Sequence, residues 1–383
     1  MPLDLQPGDH SESLPGEHGD AQPVASGRQR RVLIMGASYG SLLAARLMAG
    51  GHASHLVCRA STAALMTQQG SIVRMPVKGR DGLVEVNSLS FPGLLTASAP
   101  EAVDPAGFDL AVLAMQEPQY GQPGVRELLA RVAAARIPVM SIMNMPPLPY
   151  LARIPGLDTV KLRGCYTDPS VWDGFDPRLM TLCSPDPQAF RPPGEPINVL
   201  QVRLATNFKT ARFESEAHTA MLRQLDRDIE ASRVAVDDTT IELPVKLKTH
   251  DSIFVPLAKW AMLMAGNYRC VGAEGMRPIK EAVHSDIATS RAVYEWVADL
   301  CVDLGADASD MVPFEKYAQA AQSLASPSSA ARALAAGATN IERVDRLVQA
   351  VARSRGQRNA AVDATVALVD RWIAHNTGKV RAA

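Results

Sequence analysis

Short apolar runs alternate with helical segments through the first part of the chain. Residues 31–35 (RVLIM) form an apolar, β-branched run that ends at a glycine, and the following SLLAARLMAGG has helical spacing and stops at a glycine pair. Residues 108–115 and 137–143 are further apolar runs, separated by a helical segment over 124–135. Such alternation is typical of a parallel sheet with helices on both faces. The sequence therefore predicts an α/β fold with a doubly wound parallel sheet.

The pattern changes after residue 244, where helical periodicity dominates over residues 253–266, 279–304, 313–323, 340–355 and 358–376. We therefore expect a Rossmann-like domain over residues 30–243 and an all-helical domain over residues 244–383. Residues 1–29 are rich in Pro, Gly and acidic residues and lack clustered apolar side chains, so we expect a disordered tail there. Residues 146–196 are broken by Pro, Gly and Asp, and their pattern predicts little.

Charge and cysteine content exclude several classes of protein. The chain has 39 Lys+Arg against 40 Asp+Glu, a formal net charge of −1, which provides no overall basic field for nucleic acid or an anionic membrane. No apolar run approaches the roughly 18 residues of a membrane span. The five cysteines are scattered, without CxxC spacing or nearby histidines. They predict reduced thiols in a cytoplasmic protein and no metal site.

A glycine turn follows the first predicted strand. Its sequence is Gly36-Ala37-Ser38-Tyr39-Gly40-Ser41, and in a dinucleotide-binding unit the first glycine makes the turn while the last lets the helix pack close to the sheet. The amino terminus of that helix then faces the pyrophosphate. The spacing G-x-x-x-G is one residue shorter than the usual G-x-G-x-x-G. Gly36, Ser38, Tyr39, Gly40 and Ser41 are thus candidate cofactor-binding residues, and a tight turn in another kind of α/β protein is the alternative.

Arg59 stands at the end of the second predicted strand, 23 residues after Gly36. An acidic residue near this position would bind the ribose 2′-hydroxyl of NAD, whereas an arginine suits a 2′-phosphate. The alternative is a solvated arginine at a strand end.

Lys259 lies on an apolar helix face. Its neighbours three and four residues away are Val255, Pro256, Met262 and Leu263. Burial disfavours a charged ammonium, a property that suits a general acid near neutral pH. The alternative is a snorkelling lysine whose amine reaches water. Asn267 is eight residues further on, about 12 Å along an α-helix, so the two side chains would bracket a small substrate.

These segments together resemble the ketopantoate reductase (2-dehydropantoate 2-reductase) family over residues 30–376. GxxxGSLLAARLMAGGH and LVCR resemble its amino-terminal fingerprint, and LAKWAMLMAGN resembles its helix W-x-K-L-x-x-N-x-x-x-N. The resemblance implies NADP(H) as cofactor, with Arg59 at the 2′-phosphate and Asn144 beside the nicotinamide. It further implies that Lys259 is the general acid and that Asn267 binds substrate.

The chain departs from that family's pattern at several positions. Leu263 replaces the first asparagine of the hallmark helix, and Gln116 replaces a lysine after a strand, so that Gln116 becomes a candidate cofactor-binding residue. Near the carboxyl end, Ser328 and Ser329 resemble a serine segment of the substrate network, and Asn340 stands where a glutamate is expected. We take these three residues, with Asn267, as candidate substrate-binding residues, and the departures leave the substrate open.

The resemblance implies NADPH-dependent reduction of a small 2-oxo acid, similar to ketopantoate in pantothenate biosynthesis, to the 2-hydroxy acid. The helical domain would carry the substrate and, in a homodimer, the subunit contact. An opine-type dehydrogenase is an alternative enzyme, for which a catalytic histidine is expected among His218, His250 and His284. The alternative from another class is an inactive NADP(H)-binding sensor or scaffold.

Overall fold

The computed structural model describes residues 27–382. The described strands are β1 Arg31–Met35, β2 Ala53–Val57, β3 Ile72–Met75, β4 Val84–Asn87, β5 Leu95–Ser98, β6 Leu110–Leu113, β7 Val139–Ile142, β8 Met180–Ser184, β9 Gln188–Phe190, β10 Val199–Leu204, β11 Phe208–Ala211, β12 Val234–Val236, β13 Thr239–Ile241 and β14 Leu247–His250. The described α-helices are α1 Gly40–Ala49, α2 Ala60–Gln69, α3 Val125–Ala135, α4 Leu148–Leu151, α5 Glu216–Ala231, α6 Lys259–Met262, α7 Ile279–His284, α8 Ile287–Asp303, α9 Phe314–Ala321, α10 Ser329–Ala335, α11 Val344–Ser354 and α12 Ala360–Ala382.

The central sheet has eight strands in the order β14-β11-β8-β7-β6-β1-β2-β5. Its neighbours are parallel except for β8 and β11, which are antiparallel. From β1 the chain builds outward to β2 and β5 on one side, and then to β6, β7 and β8 on the other. The strand order therefore reverses between β1 and β6, and such a switch point leaves a crevice for ligands at the carboxyl ends of the strands.

Both faces of the sheet are buried, which explains the unbroken apolar runs in its strands. In β1, Leu33 and Met35 belong to one core and Val32 and Ile34 to the other. The first core is shared with the helices after residue 254, and the second with α1 and α5. The helical half thus packs on one face of the sheet, and the predicted fold class is confirmed.

Two smaller sheets accompany the central one. One has the order β4-β3-β10-β9, and the other is the hairpin of β12 and β13. The central sheet itself continues to β14, which lies beyond the domain boundary expected at residue 243. Residues 1–26 of the predicted tail lie outside the described residues, so its disorder stays a prediction.

Candidate active site

The glycine turn joins β1 to α1 at the switch point of the sheet. Gly36 has φ +112°, and a Cβ there would lie 2.7 Å from the Ala114 carbonyl oxygen and 2.6 Å from Met115 Cγ. A Cβ on Gly40 would lie 2.5 Å from Ile34 Cγ2. The first glycine therefore permits the turn beside β6, and the second lets α1 approach β1, as the sequence predicts for a nucleotide-binding turn.

Two side chains of the turn make contacts inside the protein. The Tyr39 hydroxyl donates to the Pro187 carbonyl at 2.7 Å, and its ring packs edge-on against Phe208. The buried Ser41 hydroxyl donates to the Ala37 carbonyl oxygen one helical turn back. Ser38 is exposed. The side chain of the turn that remains exposed is thus Ser38, since the Tyr39 and Ser41 hydroxyls are used inside the protein.

Arg59 follows β2 at the same edge of the sheet. It is the N-cap residue of α2, and its side chain is exposed. Among the described residues it has no ion-pair partner. This guanidinium is thus exposed at the carboxyl end of β2, and its role at a ribose phosphate stays a prediction.

A cleft lies between the carboxyl ends of β6 and β7 and the helical half of the chain. Its free volume is about 20 Å³, roughly the space of one water molecule, so the cleft is nearly closed. Five polar residues that line it are Gln116, Asn144, Asn267, Ser329 and Glu342. Its other walls come from Leu263, Tyr268, Ala330 and Ile341. Four of the sequence-predicted site residues are thus brought together, with a glutamate that the sequence analysis missed.

Glu342 is the buried acid of this cleft, with 8% of its surface exposed. Asn144 Nδ2 donates to Oε2 at 3.2 Å, and the backbone N–H of Glu117 donates to Oε1 at 3.3 Å. The Tyr268 hydroxyl donates to the Glu342 carbonyl oxygen, which fixes the backbone at this point. Burial raises the pKa of Glu342 to about 7, although the Asn144 hydrogen bond opposes that rise. The carboxyl group can therefore exchange a proton near neutral pH.

Asn340 and Ser328 do not occupy the positions expected from the sequence. Asn340 is exposed and is not among the residues that line the cleft, since the chain turns inward only at Ile341. The buried Ser328 caps α10 by accepting from Ala331 N at 3.2 Å, and it donates to the Asn267 carbonyl at 2.7 Å. The Ser328 hydroxyl thus holds the backbone of Asn267 in place. The acidic side chain of the cleft is Glu342, two residues beyond Asn340.

Lys259 lies one turn before Leu263, on the helical segment that also carries Asn267, but it is not among the cleft-lining residues. Its Nζ donates to Asp186 Oδ1 at 3.2 Å, and Lys209 Nζ lies 3.3 Å from Asp186 Oδ2. The Lys259 side chain is 18% exposed, that of Lys209 35% and that of Asp186 13%. The Lys259 ammonium therefore has a charged partner, although it lies on an apolar helix face.

Asp186 follows β8, so it belongs to the same edge of the sheet as the glycine turn. Burial raises the pKa of its carboxyl group, but the charges of Lys259 and Lys209 and the Ser184 hydroxyl outweigh burial and hold it below its ordinary value. Asp186 is therefore an anionic anchor for Lys259. Nothing in the local sequence pattern around Asp186 indicated this role.

The helical segment that carries Lys259 and Asn267 changes its winding. It is a 3₁₀-helix over Val255–Ala258, an α-helix in α6, and a π-helix over Leu263–Asn267. π-turns are rare in helices overall, and those that occur are often found at functional sites. The segment therefore delivers Asn267 to the cleft while Lys259 remains at Asp186.

The histidines expected for an opine-type dehydrogenase lie elsewhere. The His218 ring packs on Phe213, and His284 Nε2 lies 3.0 Å from the Ala318 carbonyl oxygen. Neither these two nor His250 is among the residues that line the cleft. Within residues 27–382, no group of three or more His, Cys, Asp or Glu side chains is arranged to hold a metal ion. In the same part of the chain, no helix has the length and apolar character needed to cross a membrane.

No family model and no curated protein sequence matches the chain. Solved structures do match. A 2-dehydropantoate 2-reductase from Methylococcus capsulatus aligns with a TM-score of 0.61 at 13% identity, covering 90% of this chain and 97% of that one. A dimeric ketopantoate reductase from Staphylococcus aureus aligns with a TM-score of 0.57 at 11% identity, covering 90% and 99%. The fold is that of the ketopantoate reductases.

A D-mandelate dehydrogenase in a ternary structure with NADH and anilino(oxo)acetate shares the ketopantoate reductase fold. It aligns with a TM-score of 0.59 at 11% identity, covering 91% of this chain and 99% of that one. The resemblance stated from the sequence is thus confirmed at the level of the fold, across nearly the whole length of these proteins. Since these identities are low, the residues of the site carry the argument about function.

Proposed function

We propose that this protein is an NADPH-dependent reductase that converts a small 2-oxo acid to the 2-hydroxy acid. The observation that carries the proposal is the hydrogen bond between Asn144 and Glu342. It joins the end of β7, two strands away from β1 and its glycine turn, to the helical half, inside a cleft that also contains Asn267. A nucleotide at the switch point would reach this cleft with its nicotinamide end.

The residues at the sheet edge fit such a cofactor. The Gly36 and Gly40 positions have no room for a Cβ, as a turn that brings the backbone near a pyrophosphate requires. Ser38 and the first backbone amides of α1 would bind the pyrophosphate, and Arg59 the 2′-phosphate. Gln116 and Asn144 would lie beside the nicotinamide. When bound, the cofactor supplies a hydride to the carbonyl carbon of the substrate.

The helical half would hold and protonate the substrate. Asn267 and Ser329 are the polar groups that the cleft offers from this half, together with the Glu342 carboxyl group. Lys259, which lies outside the cleft at Asp186, would turn its ammonium toward the substrate and donate a proton to the carbonyl oxygen as negative charge develops there. Leu263 gives the cleft an apolar wall, which suits a substrate with an apolar branch.

The setting of the enzyme is part of the same proposal. Five free cysteines, four of them buried, are typical of a reducing compartment, and we place the protein in the cytoplasm. The Staphylococcus aureus ketopantoate reductase is dimeric, and a homodimer is the assembly we propose for this chain.

A fluorescence titration with NADPH and NADH, followed by a screen of substrates, tests the function. We expect NADPH to bind at least about tenfold tighter than NADH. The screen covers ketopantoate, branched and aromatic 2-oxo acids, and each 2-oxo acid mixed with an amino acid. NADPH oxidation with a 2-oxo acid alone supports the proposal, and oxidation only with the amino acid present would indicate the opine-type reaction. Binding without turnover on any of them would favour the sensor, and no nucleotide binding would overturn the proposal.

A further inference from the structure

A second arginine reaches the glycine turn from outside the first βαβ unit. Arg191 directly follows β9, and its side chain is half-buried. Its Nη2 donates to the Ala37 carbonyl oxygen at 3.1 Å, a contact that spans 154 positions of sequence. The Tyr39 hydroxyl bonds to Pro187 on the same segment. The segment around β9 is therefore tied to the glycine turn at two points.

Arg191 and Arg59 approach the same end of β2. The Gly36 N–H donates to the Val57 carbonyl oxygen at 3.1 Å, so the turn that Arg191 contacts lies against the carboxyl end of β2, two residues before Arg59. In agreement, burial raises the pKa of the Cys58 thiol and the charges of Arg191 and Arg59 oppose that rise. Burial, followed by the charge of Arg59, lowers the pKa of Arg191. Neither arginine forms an ion pair with a carboxylate within the described residues. Two such cations, one half-buried, gain most from an anion bound between them.

The hydrogen bond to Ala37 leaves Arg191 able to bind such an anion. A guanidinium group has five N–H donors in a fixed fork, and this contact uses Nη2 alone. The bond fixes the orientation of the fork, so that little side-chain entropy is lost when a ligand binds. Arg59, in contrast, is exposed at the start of α2. The pair thus combines a donor group held by a hydrogen bond with one that is exposed to solvent.

We propose that Arg191 and Arg59 together bind one phosphate group, the 2′-phosphate of NADPH. This rests on the proposed function, and it assigns to Arg191 a specificity role that lies outside the glycine-turn motif. The carboxyl end of β2 is where the adenosine ribose lies in dinucleotide-binding folds. A 2′-phosphate at that point would take charge-assisted hydrogen bonds from both guanidinium groups, whereas NADH offers no such group.

Nucleotide affinities of the purified full chain test the proposal without a substrate. The variants are Arg191→Gln, Arg59→Gln, the double variant, and Arg191→Lys, which keeps the charge but not the fork. Arg203→Gln is the matched control, because it removes one positive charge from β10 in the same small sheet, where Arg203 is exposed and stacks on Phe190. Each protein is titrated with NADPH, NADH, 2′,5′-ADP and 5′-ADP, and its folding is checked by thermal unfolding.

We expect Arg191→Gln and Arg59→Gln each to weaken NADPH and 2′,5′-ADP binding about tenfold or more, with NADH and 5′-ADP changed less than about twofold. Arg191→Lys should fall between Arg191→Gln and the parent, and Arg203→Gln should match the parent. Equal weakening of NADPH and NADH by Arg191→Gln would assign Arg191 to the pyrophosphate and overturn the proposal. An unchanged Arg191→Gln beside a weakened Arg59→Gln would overturn it while leaving the proposed function standing. If the parent binds no nucleotide at all, both proposals fail together.

Discussion

Asp186 holds the Lys259 ammonium at 3.2 Å in a largely buried ion pair. The two residues are 73 positions apart, and they join the carboxyl end of β8 to the helical segment that carries Asn267. Lys209 shares the same carboxylate at 3.3 Å. Lys259 and Lys209 thus pair with the same carboxylate, and the proposed function assigns a chemical role only to Lys259.

Replacement of Lys259 by methionine is the direct test of that role. Methionine keeps the packing of the stem and removes the proton donor, so we expect turnover to fall by about 10²- to 10⁴-fold. NADPH affinity and the folded structure should be retained, because Asp186 keeps Lys209 as a partner. Steady-state kinetics on the substrate found by screening, together with an NADPH titration, measure the two effects.

Lys209→Met is the control for the same charge cluster. It removes the other ammonium from Asp186 and leaves Lys259 in place, so most of the turnover should remain. A Lys259→Met enzyme with the parent rate would show that this helix takes no part in the chemistry. Equal losses in both variants would show that the cluster, rather than the Lys259 proton, matters.

The glycine turn should not tolerate alanine. Gly36→Ala places a Cβ against backbone and Met115 at a positive φ, and we expect it to lower the free energy of unfolding by about 2 kcal/mol or more. Gly40→Ala meets Ile34 and should push α1 away from β1. NADPH binding should weaken in both.

A glycine in open space provides the comparison. Gly378 in α12 has no atom within 4 Å of an added Cβ, so Gly378→Ala should stabilise the protein by about 0.5–1 kcal/mol and leave nucleotide binding unchanged. Urea unfolding and NADPH titration of the three variants measure both properties. Loss of NADPH binding in the Gly378 variant would mean that the assay reports general stability instead of the turn.

Variants of the adjacent residues Ser328 and Ser329 should distinguish a structural role from a substrate-binding role. Ser328 caps α10 and bonds to the Asn267 carbonyl, so Ser328→Ala should cost about 1–2 kcal/mol of unfolding free energy. Ser329 is exposed in the cleft, and Ser329→Ala should change stability by less than about 0.5 kcal/mol. Its KM for substrate should rise instead. Unfolding curves and KM values are measured for both variants. A raised KM in Ser328→Ala together with lost stability in Ser329→Ala would make Ser328 the substrate-binding residue instead.

Contiguous features were predictable from the sequence. The strand, glycine turn and helix of residues 31–49 follow one another directly, so local periodicity and the two glycines were enough to predict their arrangement. Gly36 and Gly40 are required for the reasons the motif suggests, a positive φ at one and a close approach at the other. Gln116 and Asn144 follow apolar strands, and parallel strands bring such ends to one edge.

The residues that were missed depend on distant contacts. Asp186 and Arg191 lie in a stretch without clear periodicity, and their partners Lys259 and Ala37 are 73 and 154 positions away. Glu342 was passed over because Asn340 occupied the position of the expected acid. Only the inward turn of the chain at Ile341 brings the acid two residues later into the cleft, and no local pattern marks that turn.

The Glu342 carboxyl group should make folding stability depend on pH. Its pKa is about 7 in the folded protein and near 4.5 when unfolded, so between these values the folded state binds more protons. The free energy of unfolding should therefore fall as pH rises from about 4.5 to 7, by roughly 3 kcal/mol from this group. Glu342→Gln should remove most of that slope, leaving the part due to Glu117, whose pKa burial also raises. Urea unfolding at pH 5, 6, 7 and 8, with exposed Glu281→Gln as control, measures it, and an unchanged slope in Glu342→Gln would show that this carboxyl group stays ionised across the range.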